Sequence, residues 1–296
     1  MKLDKQFAVH DFKCLDTALF DLQEYSALKF GSDRVARLFG YQMGDKFYNE
    51  YHDILINNRC VIIPSAFNVV EIAATILARH FNNRLNDLLS LDGHRIVDWT
   101  TMHRSISYMA DYCLMSKEER KRMLNGDKLY INSDFIEGKV LIFVDDITIT
   151  GAHENKINDF LEELGLTNQH IFCYYARYQG DAAEIESQLN HAGISTIDDY
   201  VTLINEPNHH IVVRAVRFLL DQPLEKLTLA LERLDNEFID KLYFACLAKE
   251  YDKIAGYRAG FELIRREWRY RTNQNTYFSF DKKYDKGIIH ESRSYR

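Results

Sequence analysis

The chain has 296 residues, 46% hydrophobic and 27% charged, with a net charge of −7. That size and balance fit an ordinary globular protein with one α/β unit of about 150–200 residues and a smaller second unit. They argue against a protein that wraps nucleic acid over its whole surface, and no apolar run approaches the ~18 residues of a membrane span.

The start, Met1-Lys2-Leu3-Asp4-Lys5, lacks the apolar core of a signal peptide. Cys14, Cys60, Cys113, Cys173 and Cys246 are odd in number, scattered, and without zinc-like spacing. They read as reduced thiols, and the expected location is the cytoplasm. Residues 1–60 are expected to be mostly helical, with Val35, Leu38 and Phe39 on one face after Asp33 as N-cap. Cys60-Val61-Ile62-Ile63, closed by Pro64, reads as a buried strand. Val69, Ile72, Ala73, Ile76 and Leu77 then recur at helical spacing. Residues 82–137 are polar and irregular, and the charged run from Lys117 to Arg122 reads as a solvated helix start.

Lys139 to Val144 is the clearest strand, unbroken in its apolar character and so suited to a parallel sheet covered on both faces. Ile157, Phe160, Leu161 and Leu164 mark a helix that Gly165 ends. Ile171 to Tyr175 supplies the next strand. Such a βαβ unit places ligands beyond the carboxyl ends of its strands. From residue 205 the pattern turns to successive helices, with stripes at Leu224, Leu227, Leu231 and Leu234 and again at Phe238, Leu242 and Cys246. His209-His210 lacks a partner at metal-ligand spacing. The expected units are an α/β domain at 1–204, a helical appendage at 205–270 and a basic polar tail at 271–296. Spare appendage faces are commonly buried against a second subunit, so a homo-oligomer is in view. The tail interleaves Arg271, Lys282, Lys283 and Lys286 with Tyr277, Phe278 and Tyr284. Such a pattern can grip single-stranded nucleic acid, although a solvated end explains it more simply.

The most informative segment is Val140 to His153. Asp145 and Asp146 follow an apolar strand, and a short turn through Gly151 leads into a helix. Carboxylates are strong acceptors for the vicinal hydroxyls of a ribose. Amides at a helix N-terminus favour a phosphate, and glycine lets the backbone approach it. The segment Ile147, Thr148, Ile149, Thr150, Gly151, Ala152 and His153 therefore reads as a 5-phosphate loop, with Asp145 and Asp146 on the sugar.

These residues resemble the type I phosphoribosyltransferase family, whose motif for phosphoribosyl pyrophosphate is an apolar strand, two acidic residues, a Thr/Ser-rich loop with Gly, and a helix. Asp145, Asp146, Thr150 and Gly151 match it position by position. The ComF-like branch is the nearest resemblance. Its spaced segments are matched by Lys29-Phe30-Gly31-Ser32-Asp33, by Phe67-Asn68 with Glu71 and Ala73, and by Ser116-Lys117-Glu118-Glu119-Arg120 with Asn125. The resemblance implies a Rossmann-like parallel-sheet core with a C-terminal helical appendage. It also implies transfer of a phosphoribosyl group to a nitrogenous acceptor with Mg2+ as cofactor. Asp145 and Asp146 would be catalytic; the Mg2+ would be held through the ligand and by no protein group directly, with Asp145 and Asp146 as the candidates to meet it. Chains of this branch also occur in bacterial stress and tellurite-resistance operons, which places the activity near nucleotide metabolism by analogy.

The resemblance further places Ser65, Ala66, Phe67, Asn68, Lys29, Lys117 and Arg120 on the pyrophosphate side. The last two sit in a loop within 100–130 expected to close over the ligand. Two departures bear on turnover. Ser65-Ala66 stand where the family has Arg-Gly, which removes a cation, and Ile149 and His153 replace hydroxyl residues. A non-catalytic module that binds phosphoribosyl pyrophosphate or a nucleotide is the alternative reading, and a nucleic-acid-associated protein using the tail is the third.

Overall fold

Unalternating apolar runs form the centre of a parallel sheet, because only a strand covered on both faces needs apolar side chains at every position. The computed structural model describes residues 6–105, 128–182 and 184–274. Its main sheet has five parallel strands in the order β1-β7-β6-β2-β3. These are β1 (Gln6–Phe12), β2 (Cys60–Pro64), β3 (Asp98–Trp99), β6 (Val140–Thr148) and β7 (His170–Tyr178). A short antiparallel ribbon joins β4 (His103–Arg104) to β5 (Leu129–Tyr130).

The α/β class with a C-terminal run of helices is as the sequence leads one to expect. Residues 1–60, however, are not all helix. Gln6–Phe12 is an edge strand paired with β7. Burial alternates over its first half, with Phe7 and Val9 inward at the two-residue period of a half-covered strand, and Phe12 is buried at its end. The strand expected at 139–144 continues to Thr148, because β7 extends alongside it as far as Arg177. Asp145 and Asp146 therefore lie within β6, although β2 has already ended beside them at Pro64.

Helices cover both faces. α1 (Leu22–Lys29), α2 (Asp33–Asn57) and α3 (Ala73–Leu91) lie on one, and their apolar residues join Ile62, Ile142, Val144, Cys173 and Tyr175 in the larger core. Ser32, not Asp33, is the N-cap of α2, accepting from the amide of Val35. On the other face α4 (Ala152–Glu163) packs Ile157, Phe160 and Leu161 on Leu141, Phe143, Phe172 and Tyr174. The longer helices that follow are α5 (Ile185–Asn190), α6 (Ile197–Ile204), α7 (Val213–Leu220), α8 (Leu224–Leu231), α9 (Asn236–Ala248) and α10 (Arg258–Gln274), and single turns lie at Leu15–Thr17, Ser133–Ile136 and Tyr251–Lys253.

The larger core runs without a break from Phe7 to Ile264. Phe30 at the end of α1 meets Phe218 of α7 edge-on at 5.1 Å. The boundary drawn at 204 thus crosses continuous apolar packing. α10 runs past the boundary drawn at 270, and Arg271 is a clasp within the fold. Its guanidinium donates to the main-chain oxygens of Leu231 and Leu234 and pairs with Glu267. The tail beyond Gln274 lies outside the described residues. No described helix is long and apolar enough to cross a membrane.

Candidate sugar-phosphate site

Consecutive residues of a strand leave the sheet on opposite faces. The acidic pair obeys this rule. Asp146 points toward α1, where Tyr25 Oη donates to its Oδ2 at 2.7 Å and Lys29 Nζ pairs with the same oxygen at 2.5 Å. Tyr25 and Lys29 are four residues apart on α1, so one helical face delivers both. The Asp146 residue is only 3% exposed. Asp145 points toward α4, with 19% of its side chain exposed and its Oδ2 3.9 Å from His153 Nε2. Its Oδ1 accepts from the amide of Asp146 at 2.8 Å.

The two carboxyls differ in their affinity for protons. Burial, with Asp146 beside it, lifts Asp145 above the usual carboxylate range. Burial pushes on Asp146 as well, but the Lys29 ammonium overcomes it and holds that carboxyl low. Burial, reinforced by Asp146, raises the Tyr25 phenol, which therefore remains a donor. Asp146 is thus the anchored, ionised member, and Asp145 is the member that faces open space.

The loop after β6 is shorter than the sequence suggests. Only Ile149, Thr150 and Gly151 separate β6 from α4. Ile147 and Ile149 pack their side chains on the larger core, so only their backbone is left to meet a ligand. Gly151 is the N-cap of α4 at φ 69°, a left-handed conformation that costs glycine little. A Cβ there would meet nothing within 4 Å, so the approach to the helix start is open. No side chain caps α4 in the usual way; the amide of Ala152 reaches Thr150 Oγ1 only at 3.4 Å. The first-turn amides are therefore left for an anion.

Thr148 is drawn inward. Its hydroxyl donates to Glu154 Oε1 at 3.3 Å, and Glu154, itself buried, also accepts from Tyr174 Oη at 2.9 Å and Gln6 Nε2 at 2.6 Å. Glu154 ties β1, β6, β7 and α4 together directly behind the loop. At the sequence level it reads only as an acidic residue in a helix first turn, which is ordinary dipole chemistry.

Across the sheet end, Ser65 is buried after β2, donates its amide to the Val144 oxygen at 3.0 Å, and places Oγ 3.1 Å from His153 Nε2. Burial, with Arg104 and Lys156 nearby, lowers His153 to about 4, so its ring is neutral at neutral pH. Ser65, His153 and Asp145 gather without forming a hydrolase relay. The same ring nitrogen faces both oxygens, whereas a relay needs one nitrogen for each. A narrow crevice, too tight to admit a water molecule, runs between Ser65, Asp145, His153 and Tyr174 and is backed by Phe143, Ile157 and Phe172.

Ala66 is absorbed into the smaller core. Phe67 bridges to His103, and its oxygen accepts from the amide of Arg104 at 3.1 Å. Asn68 Nδ2 donates to the Arg104 oxygen at 3.0 Å. The sequence-derived candidates Ser65, Asp145, Gly151 and His153 therefore come together, with Lys29 held behind by Asp146. Lys117 and Arg120 lie outside the described residues, as does most of the expected closing loop. Tyr25, Arg104 and Glu154 carry no signal as single letters; only the four-residue spacing of Tyr25 and Lys29 was there to be read. Among the described residues no group of three or more His, Cys, Asp or Glu side chains could hold a metal ion.

A family model described as PRTase ComF-like matches residues 3–264. The chain belongs to the ComF-like phosphoribosyltransferase family, and the match takes in α7, α8, α9 and the first part of α10 together with the sheet. Among solved structures, the chain matches a purine phosphoribosyltransferase from Pyrococcus horikoshii at 12% identity, covering 60% of this chain and 92% of that one, with a TM-score of 0.27. No curated protein matches.

Proposed function

We propose that the protein binds phosphoribosyl pyrophosphate and transfers its phosphoribosyl group to a nitrogenous acceptor. The observation that carries this reading is the pairing of a partly exposed Asp145 with an uncapped, sterically open helix start at Gly151 across the end of one strand. The 5-phosphate would lie on the amides from Thr150 to His153, and the ribose over Asp145 at the mouth of the crevice. Ligand pockets usually measure ~300–1,000 Å3, so the crevice beside Asp145 would have to open for the sugar, with the phosphates on the flanking loops.

In the reaction the C1–O bond to pyrophosphate breaks with its electron pair on the leaving group, a nitrogen lone pair forms the new bond to C1, and the nitrogen loses a proton. Asp145 stands where positive charge on the sugar would develop; that charge would draw its carboxyl into the ionised form, which could then take the proton. Asp146, Lys29 and Tyr25 hold β6 and α1 in register and keep Asp146 ionised behind it. The residues fit Mg2+ only as Asp145 plus the ligand's own oxygens, the mode in which magnesium keeps several waters. When bound it would neutralise charge on the leaving pyrophosphate.

Calorimetry with phosphoribosyl pyrophosphate and MgCl2 tests the reading, and Asp145→Asn should weaken the affinity roughly tenfold or more. Absence of heat at millimolar ligand would reject it. Asp146→Asn is the poorer probe, because it strands a buried Lys29. The second reading, binding without turnover, is favoured by the absence of any basic residue from 65 to 70. Release of pyrophosphate in the presence of bases and amines would exclude that alternative.

A further inference from the structure

Lys249 caps the C-terminal end of α9. A cation there is ordinarily a surface residue facing the helix dipole. Lys249 instead is 5% exposed and reaches across to the loop after β2. Its ammonium donates to the main-chain oxygen of Asn68 at 2.5 Å and lies 3.4 Å from the Asn68 side-chain oxygen. Both acceptors are neutral. Among the described residues no carboxylate stands within ion-pair reach of it. A buried ammonium without a counter-charge is costly to keep.

The charged group nearest in effect is a like charge. Burial, followed by Arg104, draws Lys249 down to about 8. Arg104 bears on His153 in the same sense, so the cations converge on one locality. That locality is the loop at 65–70, which has no basic side chain of its own. Val69, next to Asn68, is a β-branched residue at φ 55° and 65% exposed. Such a conformation is strained for valine and persists only where surrounding contacts hold it.

We propose that Lys249, delivered by the C-terminal helical layer, is the counter-cation for the anionic group that the ligand presents on the β2 side of the site. The assignment rests on the sugar-phosphate reading above and adds the residue that completes it. The ammonium, met among the described residues only by neutral oxygens, would then also meet pyrophosphate oxygens, and the helical layer would be part of the binding site. A purely structural Lys249 would do no more than tie α9 to Asn68.

The test is calorimetry on the full chain with two probes, inorganic pyrophosphate with MgCl2 and ribose 5-phosphate. Lys249→Met should weaken pyrophosphate roughly tenfold or more and leave ribose 5-phosphate within about twofold. Lys249→Arg should retain pyrophosphate binding. The parent's affinity should fall as pH rises above about 8, where Lys249 loses its proton, and the Arg variant should resist that fall. Equal loss of both probes in Lys249→Met, or no loss, would assign Lys249 a structural role. Should Lys249→Met fail to fold, parallel pH profiles for the parent and the Arg variant would overturn the proposal. A parent that binds ribose 5-phosphate but not pyrophosphate defeats the role of Lys249 alone. A parent that binds neither defeats the sugar-phosphate reading with it.

Discussion

Asp145 and Asp146 are chemically identical neighbours with opposite duties. One faces Lys29 and Tyr25 and is ionised in the fold, and the other faces the crevice and is held partly protonated. The difference has a measurable consequence for stability. Asp145's carboxyl has a higher affinity for protons in the folded chain than in the unfolded one. Its contribution is therefore fully present below the unfolded value of ~4 and is lost as pH rises toward the folded value. Asp145→Asn should flatten that decline and raise stability at pH 8 by about 1–2 kcal/mol, at the expense of ligand affinity. Urea unfolding of parent and variant between pH 5 and 8 measures it. Parallel curves would mean that Asp145 ionises normally.

At the scale of elements, the segment Lys29-Phe30-Gly31-Ser32-Asp33 shows what a short motif can compress. Lys29 reaches Asp146, Phe30 is fully buried among rings of α6 and α7, and Ser32 caps α2. Asp33 accepts from His80 at 2.8 Å and from His210 at 2.9 Å. Gly31 makes the arrangement feasible. It sits at φ +101°, its oxygen accepts from the amide of His210 at 2.9 Å, and a Cβ would fall 2.0 Å from the His210 oxygen. Gly31→Ala should destabilise by roughly 1–3 kcal/mol and weaken ligand binding through displacement of Lys29. Thermal melts with and without phosphoribosyl pyrophosphate measure both effects. An unchanged melting temperature would show that the 31–210 contact is loose.

For the whole molecule, the decisive feature is a core that ignores the apparent change of pattern at residue 205. Ala215, Val216, Leu219, Leu227, Phe261 and Ile264 are buried in the same cluster as Phe7, Ile62 and Val144. Residues 1–204 expressed alone should therefore fail to unfold cooperatively, because Phe30 and α6 lose their cover. Circular dichroism during urea titration decides it. A sharp, reversible transition for the truncated chain would demonstrate a self-sufficient α/β domain.

The sheet's central strands, the helix after β6 and the position of Asp145 and Asp146 at a strand's carboxyl end were legible in the letters alone. Apolar continuity and 3.6-residue spacing are local properties, and a strand–acid–glycine–helix order is a linear one. β1 was hidden because its half-covered alternation runs through a charged N-terminal stretch, and its partner, β7, lies about 165 residues away. The division of labour between the two aspartates, the counter-ion role of Lys29, the inward turn of Thr148 onto Glu154 and the reach of Lys249 to Asn68 belong to tertiary structure. Each depends on which distant groups share a small volume of low dielectric, and burial and pair charge there, not residue type, determine what a side chain does.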